Sequence, residues 1–560
     1  MSSKAAKQQS SKAAKQQSSK AAKQQSSKAA KQQSSKWETF GSTVVLGVAR
    51  TWTSAIRLLD VFASFRDDLR LRFVFTVDPG SQFSRGTEEL LILAGAHVIP
   101  WRELPGTRYT LAVSASENIN FEHIDGPVLV LPHGVGFHKY VPDSSTSGMR
   151  ISGLVPEHAL RTGRVLMAVS HSNQENQLLA ASPAAAGRTV VIGDPQFEQL
   201  LASAGHREHY RRVLGIGDRR FALVTSTWGT QSLIARRPRL PAELLAALPH
   251  DEYAGGLVLH PNIWARYRPF QLHAWFAAAE DAGLLLLPPE LGWQAALVAA
   301  DLVIGDHGSV TFLAAASEKP VLLGTFGEES VPGTSAAMLG ERAQRLHRSE
   351  PLRTQLDAAE TAPWQKELAS RTFENTDGAT AALHTLVYRL LDLELGPVTT
   401  FRAADPASQK TPVTAFTAYP VFNGQDSLTL QRFARSVERW RPEAERAAAD
   451  LRHLVVDEGE RDIGRLGIAT VLTRSANGDD PSGWCAEALR RHPGCVLAAA
   501  AVPGGCVAVT ADGVGLAVTG SADVPALAST AYAILRSGPC SNRTVQLHLG
   551  AATAAVELQY

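Results

Sequence analysis

Between Trp37 and about residue 395, runs of Val, Leu and Ile of strand length alternate with stretches whose apolar residues recur every third or fourth position. "STVVLGVA" (42–49), "LRLRFVFTVD" (69–78), "AHVIPW" (96–101), "YTLAVSAS" (109–116), "PVLVLPHG" (127–134), "RVLMAVS" (164–170) and "RTVVIGDP" (188–195) read as buried strands. "TSAIRLLDVFASF" (53–65) and "TEELLILAG" (87–95) read as helices between them. A second series follows "HREHYRRVLGI": "RFALVTSTWG" (220–229), "GGLVLHPNIW" (255–264), "AGLLLLPPE" (282–290), "DLVIGDHG" (301–308) and "PVLLGT" (320–325). Near-continuous apolar strands interleaved with helices predict parallel sheets covered on both faces. Two such series of similar size predict two Rossmann-like α/β domains facing each other across a cleft.

The pattern breaks near residue 395, where "LGPVTTFRAADPASQKTPVTA" is polar and rich in Pro, as a linker would be. Beyond it, "LTLQRFARSVERWRPEAERAAADLRHLV" predicts a long charged helix interrupted at Pro442. Short strands follow in "GIATVLTR", "CVLAAAAV", "CVAVTADG" and "VGLAVTG", with a hairpin turn at "TADGVG". The expected division is a Lys-rich tail (1–36), an N-terminal Rossmann-like domain on the acceptor side (37–205) and a second one holding the nucleotide donor (206–395). A linker (396–412) then leads to a small α+β domain without a chemical motif (413–560).

Composition changes this picture at the N-terminus. Residues 1–36 repeat SSKAAKQQ four times and carry nine Lys and no acid. Eight residues advance a helix about 80° beyond two turns, so successive Lys pairs never share a face. A disordered, solvated tail is expected, with weak attraction to an anionic membrane or polymer as the alternative. Subtracting these Lys from the formal charge of +1 leaves the other 524 residues at −8, which speaks against general nucleic-acid binding. The cysteines, Cys485, Cys495, Cys506 and Cys540, form no CxxC pair, so neither a zinc site nor a disulfide framework is indicated. No apolar h-region marks a secretory signal, and the longest apolar stretches are broken by Pro, Gly or acids. A cytoplasmic location is expected, peripheral to the inner membrane face if the tail makes that contact.

Candidate chemistry gathers at strand carboxyl ends, where open α/β sheets bind ligands. Asp306-His307-Gly308-Ser309 closes a strand before the apolar helix "VTFLAAAS". Ser309 can cap that helix and leave N-terminal N–H groups for a phosphate, or the segment is a plain turn. In "LPHGVGFHKY" (131–140), His133 opens a loop in which Gly134 and Gly136 permit close approach, with His138 and Lys139 adding positive charge. An imidazole there suits a general base. In "LHPNIWARYR" (259–268), His260 ends a strand, with Asn262, Arg266 and Arg268 following. A His and an Arg opposite a helix N-terminus would meet the charge that develops on a departing diphosphate. "TSTWG" (225–229) adds Ser226, while Trp228 reads as a core residue.

Taken in order, "HGVGFHK", "VIGDPQFEQL", "REHYRRVLGIGDRRFALVTSTWG", "LVLHPN" and "ADLVIGDHGSVTFLAAASEKPVLL" resemble the CDP-glycerol glycerophosphotransferase family. Those are the polyol-phosphate polymerases of teichoic-acid synthesis, with a two-domain glycosyltransferase-B fold; the likeness spans roughly residues 40–390. The resemblance implies His133 as catalytic base and His260 as the His that binds the donor phosphates. It also places Ser309 on the donor diphosphate and Lys139 on a basic position after the HG motif. The family's Asp-Tyr-Ser-Ser is Asp-His-Gly-Ser here, and an expected acid is replaced by Leu313.

The leading expectation is a transferase moving a glycosyl or polyol-phosphate group from a nucleotide-diphosphate donor to an unidentified acceptor hydroxyl. His133 and His260 are the catalytic pair. Ser309, Gly308, Asp306, His307, Ser226, Asn262 and Arg266 lie on the donor side, and Gly134, Gly136 and Lys139 on the acceptor side. No metal set and no cofactor beyond the donor are indicated. The alternatives are a catalytically silent nucleotide sensor or scaffold, with residues 413–560 docking a protein partner, and an isomerase resembling the nucleotide-sugar 2-epimerases.

Overall fold

The computed structural model describes residues 41–142, 148–396, 403–406, 412–443, 450–460, 462–476, 480–538 and 541–560. The Lys-rich tail and most of the expected linker lie outside the described residues. The first sheet contains β1 (Thr43–Ala49), β2 (Leu71–Val77), β3 (Leu111–Ser114), β4 (Val128–Val130), β7 (Val165–Val169) and β8 (Thr189–Val191). A separate hairpin, β5 (Tyr140–Pro142) and β6 (Met149–Ile151), leaves it after β4. All neighbours in the order β2-β1-β3-β4-β7-β8 are parallel. The expected strand at 96–101 is reduced to one parallel bridge, Phe75–Val98, on the outer edge of β2. Only one face of that edge has a partner, and Pro100 supplies no donor to lengthen the pairing.

The second sheet contains β9 (Arg220–Ser226), β10 (Tyr253–Leu259), β11 (Leu285–Leu287), β12 (Leu302–Gly305), β13 (Val321–Leu323) and β14 (Gln344–Arg345). Its order, β11-β10-β9-β12-β13-β14, is again all parallel. That is the doubly wound arrangement, reversing between β9 and β12; the first sheet reverses between β1 and β3. Two Rossmann-like lobes thus face each other across a cleft.

Three helices tie the lobes to the site. α1 (Trp52–Ala63) starts in a capping box, Ser54 N to Thr51 Oγ1 and Thr51 N to Ser54 Oγ. α2 (Pro261–Glu280) bends where Arg268 takes φ 66° ahead of Pro269, and this sends the Arg268 guanidinium over the Trp52 ring of the other lobe. α3 (Ser309–Ala316) follows β12. A fourth, α4 (Ala379–Leu390), comes after the second sheet in sequence yet packs on the first lobe. There His384 Nε2 meets Ser64 Oγ at 2.9 Å and the Tyr388 hydroxyl donates to Asp68 at 2.7 Å.

The C-terminal region corrects the small α+β expectation. It is a closed barrel of nine strands: β15 (Ala415–Phe422), β16 (Ser427–Ala434), β17 (His453–Asp457), β18 (Val471–Arg474), β19 (Leu497–Val502), β20 (Gly505–Thr510), β21 (Gly515–Thr519), β22 (Arg543–Leu549) and β23 (Ala552–Gln559). α5 (Pro481–Arg491) covers β19 and β20 from outside. α6 (Val524–Ser537) shares one core with buried residues from all nine strands, its alanines at 526, 528, 531 and 533 giving the strands room to close. The expected long helix 428–455 is instead β16, a 3-10 turn at Arg435–Trp440 and the start of β17; residues 444–449 lie outside the described residues. In "LTLQRF" the alternation wins: Leu428 and Leu430 enter the barrel core. Buried Arg432 pairs with Asp251 of the second lobe at 2.6 Å and with Asp523 at the start of α6 at 2.7 Å. That triad joins barrel to lobe. No helix among the described residues is long and apolar enough to cross a membrane.

Candidate active site

Between the lobes lies a cleft of about 990 Å³, floored by the carboxyl ends of β1, β3, β4, β9, β10 and β12. Both sheet reversals open into it, which is where parallel α/β sheets leave room for ligands. His133, Gly134, Gly136, Lys139, Ser226, His260, Asn262, Asp306, Gly308 and Ser309 all line it.

The lobes touch at the expected pair of loops. Val135 N donates to Ser309 Oγ at 3.3 Å, and a Cβ on Gly134 would stand 2.6 Å from that oxygen. Gly134 is therefore required by close approach, not by an unusual φ. The loop is held from behind by Phe137, a buried ring in left-handed backbone (φ 67°) whose carbonyl accepts from Gln177 Nε2 at 2.7 Å. Strain of this kind costs about 1–3 kcal/mol and persists where surrounding packing fixes it. His133, the residue so presented, is exposed to the cleft.

Ser309 does not cap α3. Gly308 occupies the N-cap position without a side-chain bond, and Ser309 is the first helical residue, free to reach across to the other lobe. The N–H groups of Ser309, Val310 and Thr311 have no acceptor among the described residues, so the helix N-terminus offers them to the cleft.

Asp306 and His307 have their capacity spent inside the second lobe. The wholly buried Asp306 carboxylate accepts from Thr227 N at 3.0 Å, Leu233 N at 2.8 Å, Gly308 N at 2.9 Å and Ser226 Oγ at 3.2 Å. It fixes the two loops on either side of the β9/β12 reversal. The Ser226 hydroxyl is likewise occupied, accepting from Ile234 N at 3.0 Å. His307 does not line the cleft: its Nδ1 accepts from Gly327 N at 3.0 Å and its Nε2 meets Glu329 at 2.8 Å. That bond, outweighing burial, holds the Glu329 carboxyl below its usual range. Arg266 is exposed on α2, one turn beyond Asn262, and also lies outside the cleft lining.

His260 sits at the N-cap of α2, with Nδ1 accepting from Asn262 N at 3.1 Å. Burial, reinforced by the charges of His133 and Lys139, lowers its pKa to about 3. It is therefore a neutral imidazole whose remaining nitrogen, Nε2, carries the proton and donates. Burial likewise lowers the Lys139 amine, against the pull of Glu329 and Asp306. His138 stacks on Phe312 at 5.3 Å with neither ring nitrogen bonded. Leu313 is buried beneath the cleft. Trp228 is 43% exposed, edge-on to Phe83 of the first lobe at 4.8 Å, rather than a core residue.

Asp194, which also falls at the end of a predicted strand, lines the site in a buried pair with Arg57 at 3.3 Å; Arg50, Arg57 and Glu117 line it without having been anticipated from sequence. Their available signal was position after a predicted strand, shared with many loop residues. Among the described residues, no three His, Cys, Asp or Glu side chains gather as a metal would require.

The buried imidazoles make stability acid-sensitive. His138, His250 and His453 are lowered by burial to about 4, and His260 to about 3, against an ordinary 6.5. An unfolded chain binds these protons first, so their stabilisation is complete above about pH 6.5 and is lost as pH falls toward 4 and 3. Melting temperature should drop steeply between pH 7 and pH 5 in scanning calorimetry; a flat profile would contradict the neutral imidazoles.

No family model and no curated protein matches this chain. Solved structures that it is similar to include the wall teichoic acid polymerase TagF, at 11% identity over 62% of this chain and 89% of that one, TM-score 0.40. Anabaena HepE in complex with UDP and glucose is 15% identical over 62% and 99%, TM-score 0.35. UDP-GlcNAc 2-epimerase from Neisseria meningitidis, bound to UDP-GlcNAc, is 16% identical over 62% and 100%, TM-score 0.34. At these identities and scores the likeness names no family for this chain, and the chemistry rests on the site's own geometry.

Proposed function

We propose that this protein is a transferase that moves a glycosyl or polyol-phosphate group from a nucleotide-diphosphate donor to an acceptor hydroxyl. The observation that carries this reading is the meeting of an exposed imidazole, His133, with an open helix N-terminus at Ser309 across one cleft. The acceptor lies against the first lobe and the donor against the second. His133 removes the hydroxyl proton as the oxygen bonds either to the transferred carbon, whose bond to the diphosphate breaks to release a nucleoside diphosphate, or to the transferred phosphorus, whose bridging P–O bond within the diphosphate breaks to release a nucleoside monophosphate. The released negative charge is met by the free N–H groups of α3, the His260 Nε2–H and the Lys139 amine.

A thermal-shift panel of CDP-, UDP- and GDP-linked donors tests the binding half. One of them should raise the melting temperature by several degrees at about 100 times its Kd, where linkage supplies about 2.7 kcal/mol. Product formed only when acceptor is added then supports transfer; product from donor alone would mean isomerisation. A bound nucleotide with no product would leave a sensor, and no shift with any donor would overturn the proposal.

A further inference from the structure

On one side of the cleft the two lobes are joined by main-chain pairing that the transfer scheme does not use. After β13 the second lobe runs out to residues 329–331, and these meet the loop that carries His133. Tyr140 N donates to the Glu329 carbonyl at 2.7 Å and Val331 N to the His138 carbonyl at 2.8 Å, on either side of an antiparallel bridge between Lys139 and Ser330. Tyr140 also begins β5, which pairs with β6 through Tyr140–Ile151. Residues 329–331 thus extend the hairpin into a small ribbon that crosses from one lobe to the other. A ribbon of so few pairs is marginal unless its members are fixed from outside.

His307 does that fixing. It stands between the buried Asp306 and the N-cap of α3. Its Nδ1 accepts from Gly327 N at 3.0 Å, which leaves the ring proton on Nε2, and Nε2 donates to the Glu329 carboxylate at 2.8 Å. The ring is enclosed, with Phe326 edge-on to it at 5.8 Å. Gly327 makes the room: a Cβ there would stand 2.7 Å from the ring and 2.8 Å from the Glu329 carboxylate. A bond of this kind, with an ionised acceptor, is among the stronger side-chain ties. A continuous series of hydrogen bonds therefore runs from the start of α3, through His307 and Glu329, into residues 138–140. With the contact from Val135 N to Ser309 Oγ, the loop is pinned at two points to the same junction of β12 and α3.

We infer that His307 and Glu329 are a positioning pair for the transfer site, setting the loop that carries His133 and Lys139 over the N-terminus of α3. They act through the main chain of residues 329–331. This rests on the reading of His133 and Lys139 as working groups of the transfer, but not on the identity of donor or acceptor. The need for such a tie follows from the division of labour in the cleft. The base is carried by one lobe and the groups placed to hold the donor by the other. A base works only within hydrogen-bond reach of its proton, and a misplacement of about 1 Å can cost about a hundredfold in rate. It also accounts for a histidine that lies beside the anion cradle yet does not line the cleft.

The test is hydrogen exchange of the full chain, read by mass spectrometry on peptides covering residues 134–142 and 327–334. Glu329→Ala and His307→Ala should each speed exchange in both peptides by about tenfold or more, as loss of a charge-assisted bond from the closed state requires, with β1 and β9 unchanged. Glu329→Gln offers an amide oxygen to the same Nε2–H and should recover most of the protection. With a donor found by the thermal-shift panel, Glu329→Ala should lower kcat by about tenfold or more while donor KM stays within about twofold of wild type. A rise below about threefold at 134–142 in a folded Glu329→Ala protein overturns the inference, leaving the pair as a brace of the second lobe. So does a Gln variant as loose as the Ala variant, or a loss carried by KM alone, which would make Glu329 a donor contact. If His307→Ala fails to fold, Glu329→Ala decides, because that carboxylate is partly exposed and its removal leaves no void in the core. Exchange is measured without substrate, so failure of the transfer proposal and failure of this pairing remain distinguishable.

Discussion

His133→Ala should lower turnover by about 10²–10⁴-fold, the usual contribution of a positioned general base, while donor affinity and melting temperature stay close to wild type. The separation follows from where the imidazole sits. It projects from the β4 loop into open cleft, so its removal leaves no cavity in either core. The groups placed to hold the donor, at the start of α3 and at His260, belong to the other lobe. Single-turnover rates with a saturating donor and its acceptor, beside a thermal-shift titration of the same donor, measure the two effects apart. A variant that retains the wild-type rate would remove His133 from the chemistry.

Asp306→Ala is expected to act on stability first. The carboxylate has no access to solvent, and it accepts from three backbone N–H groups belonging to two loops and a helix N-cap. Each buried N–H left without an acceptor costs about 1–3 kcal/mol, so three of them should cost the second lobe about 3–9 kcal/mol. Asp306→Asn keeps one accepting oxygen but places an amide N–H against those donors, and should recover only part of the loss. Chemical denaturation followed by Trp fluorescence gives the size of the effect. A loss below about 1 kcal/mol would show that the loops hold their geometry without this residue. Because the same bonds set the start of α3, donor binding should weaken in whatever fraction remains folded.

These expectations show how unevenly the site can be read from sequence. His133, His260 and Ser309 were legible because each stands at the end of an apolar strand, and in parallel sheets such ends converge. Asp306, His307 and Ser226 share that sequence position, yet they are consumed by hydrogen bonds within their own lobe, and Arg266, a turn into α2, faces solvent. Nothing local distinguishes an Asp that binds a ligand from one that braces a turn, since the partners of Asp306 begin about eighty residues earlier in the chain. Glu117 was missed for the complementary reason. Its place in the cleft depends on the turn after β3 and on a pairing with Arg150 of a later hairpin.

What the sequence determined alone was the sequence of burial: which segments are covered on both faces, where helices separate them, and hence two parallel α/β lobes with loops at matching ends. Hydrophobic periodicity reports the environment of one element along its own axis, and for these strands that was enough. Tertiary structure decided the rest. It closed the C-terminal strands into a barrel around α6, turned a charged stretch into β16 by giving the buried Arg432 two carboxylate partners, and sent α4 back to the first lobe. The physical reason is that a polar side chain's role depends on which partners satisfy it, and those partners are chosen by strand order and domain docking rather than by neighbours in the chain.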